Sequence, residues 1–307
     1  MVWLIYVIIL LLLLLALFLW AYRKVLFVPS RQRYWKPKQH NNLFLDADSP
    51  VVKCYHRKKN PSRDYLNLWH FDRYPNRKVV LYFHGNTGNI SHRRYVYDIC
   101  KRLKFNLLLV DHRGYGESDG KPEVKHVLND SLVIYDFLRT KYNNKDIIVW
   151  GESLGGASAV FLARHRKINR LVLFSTFASP EDIIENMSGT GSWMAKPLAH
   201  ISKMITPPIP NKVWIQRVTC PVIIIHSLDD KLISYKNAII MYDAIQHDKK
   251  VLLTIQGDHA EPKLTTQKLK KLTDFLGLYC SDDKLTKIIA DLSKASVLYQ
   301  KWKNGKL

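Results

Sequence analysis

Along residues 51–280, short runs of consecutive hydrophobic residues alternate with stretches in which hydrophobic positions recur at a helical period. Nearly continuous apolar runs are typical of strands that are buried on both faces of a sheet. These runs occupy residues 78–84, 105–110, 147–150, 171–174, 221–226 and 251–255. The periodic stretches predict helices over 91–103, 123–139, 234–245 and 262–276, and another through 160–162. Together they predict an α/β fold with a mostly parallel sheet and helices on both faces.

The alternation is weaker at its start and is interrupted once. Segments 51–56 and 65–71 alternate in polarity and predict an antiparallel pair at a sheet edge, and residues 23–50 predict a linker that packs onto the domain. Residues 176–219 are rich in proline and contain Trp193 and Met194. Their apolar content predicts a small, partly helical cap, and a poorly ordered insertion is the alternative.

The N-terminal stretch 2–22 has no charged side chain and consists mainly of leucine, isoleucine and valine. At about 1.5 Å per residue, such a helix is roughly 30 Å long, the thickness of the hydrocarbon core of a bilayer. Trp3, Trp20 and Tyr22 lie near its ends, where interfacial aromatic residues are common. These features predict one uncleaved transmembrane helix. A cleaved signal peptide is the alternative, but no basic residue precedes the run and no cleavage site of small residues follows it.

The orientation of this anchor follows from the charges beside it. The basic residues Arg23, Lys24, Arg31, Arg33, Lys36 and Lys38 all come after the apolar run. The positive-inside rule therefore predicts a single-pass protein with its catalytic body in the cytosol. Three glycosylation sequons, at Asn89, Asn129 and Asn186, would matter only in a lumenal body.

A formal net charge of +21 indicates an attraction to anionic partners. The basic residues are scattered, so a solvated basic surface is the simplest interpretation, followed by attraction to anionic lipid. No nucleic-acid partner is expected, because zinc-finger spacing, an RNA-binding aromatic motif and a long basic arm are all missing. The four cysteines are far apart in the sequence, which predicts buried free thiols rather than disulfides or a metal site. No cofactor and no metal are expected.

The chemistry centres on a glycine-flanked serine. Gly151, Ser153 and Gly155 follow the apolar run 147–150 and precede a helical stretch. This spacing fits a nucleophile elbow, a sharp turn from strand to helix that exposes the serine hydroxyl. Small residues on either side allow the strand and the helix to pass close to each other. The serine would lie at a helix N-terminus, where free N–H groups favour an oxyanion.

Candidate partners of Ser153 follow two later strands. Asp229 and Asp230 come after the run 221–226, and His259 comes after the run 251–255. Because the carboxyl ends of parallel strands share one edge of a sheet, these side chains are expected to gather there. Asp230 is the preferred acid and Asp229 the alternative, while His259 is the expected base.

Other residues at the same edge have different predicted roles. The backbone N–H groups of Leu154 and of Asn86 or Thr87 are the candidates for the oxyanion hole. His84 precedes that loop and is expected to shape it. His226 is expected to be a packed residue at the end of a strand, and His112 lies in a glycine-rich loop over 111–120.

From about residue 26 to residue 278 the chain resembles the α/β-hydrolase superfamily. More narrowly, it is similar to the membrane-anchored α/β-hydrolase-domain proteins of the bud-emergence type. The motifs that carry the resemblance are 82–89, 111–123, 151–156, 175–177 and 220–222. The resemblance implies Ser153 as nucleophile, Asp230 as acid, His259 as base and an N-terminal anchor. The chain departs from the family pattern at two positions: Ser227 stands where glycine is usual, and Ser234 stands where proline is common.

The sequence as a whole predicts a transmembrane anchor at 2–22, a linker at 23–50, an α/β-hydrolase domain at 51–280 and an extension at 281–307. The extension is amphipathic, and its apolar face either docks on the domain, which is the preferred interpretation, or lies on a membrane surface. We expect a serine hydrolase that cleaves an ester or thioester, with a membrane lipid or an acylated protein as the favoured substrate. A non-catalytic membrane scaffold on the same fold is the alternative.

Overall fold

The computed structural model describes residues 2–37, 41–48, 53–56, 60, 62–187, 209–259 and 263–303. The strands are β1 (Val28–Pro29), β2 (Asn41–Asp46), β3 (Cys54–Tyr55), β4 (Tyr65–Phe71), β5 (Val79–Phe83), β6 (Thr87–Gly88), β7 (Asn106–Val110), β8 (Ile147–Glu152), β9 (Arg170–Phe174), β10 (Val222–Ser227) and β11 (Lys250–Ile255). The helices are α1 (Val2–Leu26), α2 (Arg94–Leu103), α3 (Val124–Arg139), α4 (Leu154–His165), α5 (Pro180–Met187), α6 (Asn211–Trp214), α7 (Lys236–Ala244), α8 (Thr266–Phe275) and α9 (Asp282–Lys303).

Nine of these strands form one sheet in the order β11-β10-β9-β8-β5-β7-β4-β2-β3. The strands from β11 to β7 run parallel to one another, and β4, β2 and β3 add antiparallel pairs at one side. The predicted α/β fold with a mostly parallel sheet is therefore confirmed. Strands β1 and β6 form a separate parallel pair outside this sheet.

The sheet is buried on both faces because successive side chains of each strand point to opposite sides. In β5, Val79, Leu81 and Phe83 pack into one hydrophobic cluster, together with residues of α3, α4 and α7. The intervening Val80 and Tyr82 pack into a second cluster with residues of α2, α8 and α9. The continuous apolar runs of the sequence thus fill two cores, one on each side of the sheet.

The edge of the sheet differs from the prediction. Segments 51–56 and 65–71 were expected to pair directly, but β2 lies between β3 and β4 and pairs with both of them. Residues 23–50 are therefore more than a linker packed on the surface, since they supply a strand of the main sheet. Leu43 and Leu45 of β2 are buried in the first cluster, which accounts for the position of this strand.

The two ends of the expected cap are described, and its middle is not. Helix α5 begins it and helix α6 lies near its end, where Trp214 packs against Phe161 of α4. Residues 188–208, including Trp193 and Met194, lie outside the described residues, so the cap stays a prediction.

The C-terminal helix α9 docks on the domain. Leu285 and Ile288 are buried in the second hydrophobic cluster, with Ile289 and Leu292 packed against it. The helix contacts α2 and α8. This arrangement agrees with the docking interpretation of the amphipathic extension. Two of the four cysteines, Cys54 and Cys220, are half-buried rather than buried, and all four are free thiols.

The N-terminal helix α1 exposes every side chain that is described between residues 3 and 17. Leu26, at its end, and Phe27 are buried in the first hydrophobic cluster, so the chain joins the domain at this point. Within the described part of the chain, no helix combines the length and the apolar character needed to cross a membrane.

Candidate active site

The predicted site residues meet at one edge of the sheet. Ser153 follows β8, Asp230 follows β10 and His259 follows β11, and these strands are parallel members of the same sheet. The loop 85–88 follows β5, which is paired with β8. The carboxyl ends of all four strands therefore bring these groups to the same side of the molecule.

Ser153 lies in a strained turn between β8 and α4. Its backbone has φ 50° and ψ −115°, a conformation that is costly for a residue with a side chain. The two glycines after it allow close approach: a Cβ atom on Gly155 would lie 2.1 Å from the carbonyl oxygen of Phe83, and one on Gly156 would lie 2.1 Å from Thr176 Oγ1. The turn thus has the geometry of a nucleophile elbow, with Ser153 6% exposed.

Gly155→Ala is expected to lower the free energy of unfolding by about 1–3 kcal/mol, because the new methyl group would collide with the backbone at the end of β5. Alanine within a helix is normally more stabilising than glycine by about 0.5–1 kcal/mol. Without the collision, the substitution would therefore be expected to raise the free energy of unfolding. Urea unfolding of the full chain, followed by tryptophan fluorescence, measures the change.

Gly85→Ala is the matched control for this substitution. A Cβ atom at Gly85 would meet its nearest neighbour, the side-chain Oε1 of Glu152, at 3.2 Å. The contacts at Gly85 are longer than those at Gly155 and involve side chains rather than backbone, so Gly85→Ala is expected to lower the free energy of unfolding by less than Gly155→Ala. Equal destabilisation by both substitutions would contradict the close packing assigned to Gly155.

Ser153, His259 and Asp230 form a continuous chain of polar contacts. His259 Nε2 lies 3.2 Å from Ser153 Oγ, and His259 Nδ1 lies 2.7 Å from Asp230 Oδ2. Both distances are within hydrogen-bonding range. The structure therefore brings together the three side chains that the sequence selected.

The direction of each hydrogen bond follows from the charge of Asp230. Burial alone would raise the pKa of Asp230, but hydrogen bonds from His226 and His259 outweigh it and hold the pKa well below its usual range. An ionised carboxylate only accepts, so His259 Nδ1 must donate to Asp230. His259 Nε2 then carries no proton in the neutral ring and accepts a hydrogen bond from the Ser153 hydroxyl.

Asp230 is held in place by four groups. Its Oδ1 atom accepts hydrogen bonds from the backbone N–H groups of Leu232 and Ile233, at 3.0 and 2.8 Å. Its Oδ2 atom faces His259 and also lies 3.4 Å from His226 Nε2. His226 Nε2 in turn donates to the carbonyl of Ile233 at 2.8 Å. His226 is packed at the end of its strand, as expected, but its contact with the acid was not foreseen.

The structure also distinguishes the two neighbouring aspartates. Asp230 is buried and faces His259, whereas Asp229 is exposed and accepts a hydrogen bond from the Gly257 backbone at 3.0 Å. Of these two aspartates, Asp230 is the one that can orient the histidine.

The loop 85–88 lies directly against the elbow. A Cβ atom on Gly85 would be 3.3 Å from the Cβ of Ser153, and Leu154 is the first residue of α4. The backbone N–H groups of Asn86, Thr87 and Leu154 are thus on segments that adjoin the serine. The assignment of these groups as the oxyanion hole stays a prediction.

His84 and His112 form a buried, uncharged pair behind this loop. Burial lowers the pKa of His84 well below its ordinary value and lowers that of His112 to about 4. His84 Nδ1 donates to the carbonyl of Gly85 at 2.6 Å, and His112 Nε2 donates to the carbonyl of His84 at 2.9 Å. His84 therefore contacts the loop that it was expected to shape.

A polar cluster beside the elbow was not predicted. Glu152, next to Ser153, accepts hydrogen bonds from the hydroxyls of Tyr82 and Tyr95 and lies 3.3 Å from Arg93. Arg93 also donates to the carbonyl of Thr87 at 3.0 Å. Burial and the nearby Glu152 carboxylate raise the pKa of both tyrosines well above the ordinary value. The sequence offered no signal for this cluster, because Arg93 and Glu152 are far apart in the chain.

Within the part of the chain that the structure describes, no group of three or more histidine, cysteine, aspartate or glutamate side chains could hold a metal ion.

Comparison with known proteins gives a consistent set of relatives. Residues 74–214 match the profile of a family described as serine aminopeptidase, S33. Protein bem46 of Schizosaccharomyces pombe is 27% identical over 260 residues, which cover 81% of each chain. Lysophosphatidylserine lipase ABHD12 of Danio rerio is 25% identical over 193 residues, which cover 56% of this chain and 48% of the lipase. Alpha/beta hydrolase domain-containing protein 17B of Homo sapiens is 28% identical over 206 residues, 66% of this chain and 67% of the human protein. The chain thus spans about half the length of the zebrafish lipase.

Solved structures share the fold. The Pyrococcus furiosus esterase Pf2001 superposes with a TM-score of 0.59 at 19% sequence identity, covering 85% of this chain and 98% of the esterase. The esterase Est1E of Butyrivibrio proteoclasticus superposes with a TM-score of 0.54 at 20% identity, covering 71% of this chain and 96% of that chain. At these identities the likeness concerns the fold alone.

Proposed function

We propose that this chain, an α/β-hydrolase domain protein of the bud-emergence type, is a serine hydrolase that cleaves an ester or thioester through an acyl-serine intermediate. The observation that carries the proposal is the contact chain from Asp230 through His259 to Ser153, with the serine in the strained turn at the start of α4. This set supplies a nucleophile, a base and an orienting carboxylate.

In the acylation step, Ser153 Oγ attacks the carbonyl carbon of the substrate while His259 Nε2 takes the hydroxyl proton. The oxyanion that forms is stabilised by the backbone N–H groups of Leu154 and of Asn86 or Thr87, each worth about 3–4 kcal/mol in comparable enzymes. The C–O or C–S bond to the leaving group then breaks, and His259 gives its proton to the departing alcohol or thiol.

Water completes the reaction. It attacks the acyl-Ser153 ester while His259 takes one of its protons, and that proton returns to Ser153 Oγ as the carboxylic acid leaves. Asp230 stays ionised throughout and stabilises the imidazolium form of His259 by their hydrogen bond.

The proposed substrate is the acyl group of a lipid or of an acylated protein. The zebrafish relative is named a lysophosphatidylserine lipase, which favours a lipid. The exposed apolar side chains of α1 and the net charge of +21 favour a location at an anionic bilayer surface. We propose that α1 attaches the enzyme to that membrane, with the hydrolase domain on the cytosolic side.

A substrate panel tests the proposed function. The full chain, purified in detergent, is incubated with a lysophospholipid, a monoacylglycerol, an S-acyl peptide and an aminoacyl amide, and the released acid or amine is measured. We expect turnover of at least one ester or thioester. Failure to cleave any of them, together with failure to react with a fluorophosphonate, would favour the non-catalytic scaffold. Cleavage of the amide alone would favour a peptidase.

A further inference from the structure

The loop Gly85 to Gly88, which carries the proposed oxyanion donors, is held by all four of its backbone carbonyls. The carbonyl of Gly85 accepts from His84 Nδ1 at 2.6 Å, and that of Thr87 accepts from Arg93 at 3.0 Å. The remaining two are held by the buried Tyr115 and by the segment that follows α1.

Tyr115 connects the loop to that segment through its hydroxyl. The hydroxyl donates to the carbonyl of Asn86 at 2.8 Å and accepts from the backbone N–H of Val28 at 3.1 Å. The N–H of Val28 also lies 3.0 Å from the same Asn86 carbonyl. The ring of Tyr115 is fully buried, with its centroid 5.1 Å from that of His84 and 5.8 Å from that of His112.

The segment Val28–Ser30 runs alongside the loop as a strand. Val28 and Pro29 form β1, which pairs with Thr87 and Gly88 of β6. The backbone N–H of Ser30 donates to the carbonyl of Gly88 at 3.3 Å, and the carbonyl of Ser30 accepts from the N–H of Gly116 at 3.0 Å. The segment is therefore sandwiched between the loop and the glycine-rich turn that contains Tyr115.

These contacts fix the orientation of the proposed donors because a peptide unit is planar. The carbonyl of Asn86 and the N–H of Thr87 belong to one peptide plane, and in a trans peptide they point in opposite directions. The peptide bonds of the described residues are trans. Holding the Asn86 carbonyl toward Tyr115 and Val28 thus directs the Thr87 N–H to the other side of the loop, and holding the Gly85 carbonyl does the same for the N–H of Asn86.

We infer that Tyr115 and the backbone of Val28–Ser30 are positioning groups for the oxyanion hole. The stretch of chain that joins α1 to the domain is accordingly part of the support of the active site. This inference rests on the proposed function, since it assigns a role to the loop in that reaction. The glycine-rich turn over 111–120, which takes no part in the proposed catalytic steps, would then serve to support the oxyanion loop.

Tyr115→Phe tests the inference, because it keeps the buried ring and removes only the hydroxyl. We expect kcat for p-nitrophenyl butyrate to fall by about tenfold or more, since small displacements of catalytic groups cost up to about 10²-fold. The KM is expected to change by less than about twofold, because an oxyanion contact forms mainly in the transition state. The midpoint of thermal unfolding is expected to stay within about 5 °C of wild type.

A second pair of variants tests the strand independently of Tyr115. Ser30→Pro removes the N–H that donates to Gly88, and Ser30→Ala keeps that N–H while removing the hydroxyl. We expect Ser30→Pro to lower kcat by about tenfold, and Ser30→Ala to lower it less, because only the proline loses the N–H that holds Gly88. Tyr279→Phe, at a side chain that is 94% exposed, is the matched control for Tyr115→Phe.

A wild-type kcat in both Tyr115→Phe and Ser30→Pro would overturn the inference, and so would a loss confined to KM. The proposed function fails separately: in that case the wild-type chain itself hydrolyses no ester and takes no fluorophosphonate. If the wild-type enzyme is active and both Tyr115→Phe and Ser30→Pro keep the wild-type kcat, only the positioning role is disproved.

Discussion

Ser153→Ala is expected to reduce kcat for ester hydrolysis by about 10⁵–10⁶-fold, to the background level of the assay. The reason is that the hydroxyl of Ser153 is placed to receive the acyl group from the substrate while His259 Nε2, 3.2 Å away, accepts the proton. Without this hydroxyl no acyl-serine intermediate can form. Release of p-nitrophenol from a short-chain ester by the full-length protein measures the loss.

Ser158→Ala is the control for this substitution. Ser158 is a fully buried serine in α4, the helix that follows Ser153, and its hydroxyl makes one long contact of 3.5 Å with the carbonyl of Val127. Its loss is expected to change kcat by less than about threefold, since the group has no contact with the reacting atoms. Hydrolysis by Ser153→Ala at the rate of Ser158→Ala would rule out Ser153 as the nucleophile.

Asp230→Asn is expected to lower kcat by about 10⁴-fold, with little change in KM, as an orienting carboxylate does in comparable enzymes. The two backbone N–H groups on Oδ1 would keep the amide oxygen of the asparagine in that position. The amide nitrogen would then face His259 Nδ1 as a donor. His259 would have to accept at Nδ1 and carry its proton on Nε2, so it could no longer take the proton of Ser153.

Asp229→Asn is the matched control, because it makes the same chemical change one residue earlier. The exposed Asp229 accepts a hydrogen bond from the Gly257 backbone rather than from His259. One such hydrogen bond is worth about 1 kcal/mol, so kcat is expected to fall by less than about tenfold. If Asp229→Asn were the more damaging of the two, the assignment of the acid would be reversed.

Much of the fold could be predicted from the sequence because the parallel strands are buried on both faces. Such strands appear as continuous apolar runs, and the runs at 78–84 and 147–150 correspond to β5 and β8 within two residues. Strand β2 was missed for a physical reason. Its six residues become a strand by pairing with β4 and β3, a tertiary context that the local pattern does not contain.

The site residues that directly follow strands could be predicted from the sequence, because the ends of parallel strands lie together. Ser153 has a motif, and His259 and the two aspartates follow later strands of the same sheet. The sequence favoured Asp230 over Asp229, and the structure shows that Asp230 faces His259 whereas Asp229 accepts a hydrogen bond from Gly257. Supporting residues such as Tyr115 could not be found from sequence, because Tyr115 and Val28 are 87 positions apart.

A covalent adduct on Ser153 would identify this residue as the nucleophile of a serine hydrolase. The full-length protein is treated with a fluorophosphonate, digested and sequenced by tandem mass spectrometry. We expect a phosphonate on Ser153 and slow or no reaction in Asp230→Asn. An unmodified Ser153, or an adduct on another residue while Ser153 stays free, would contradict it.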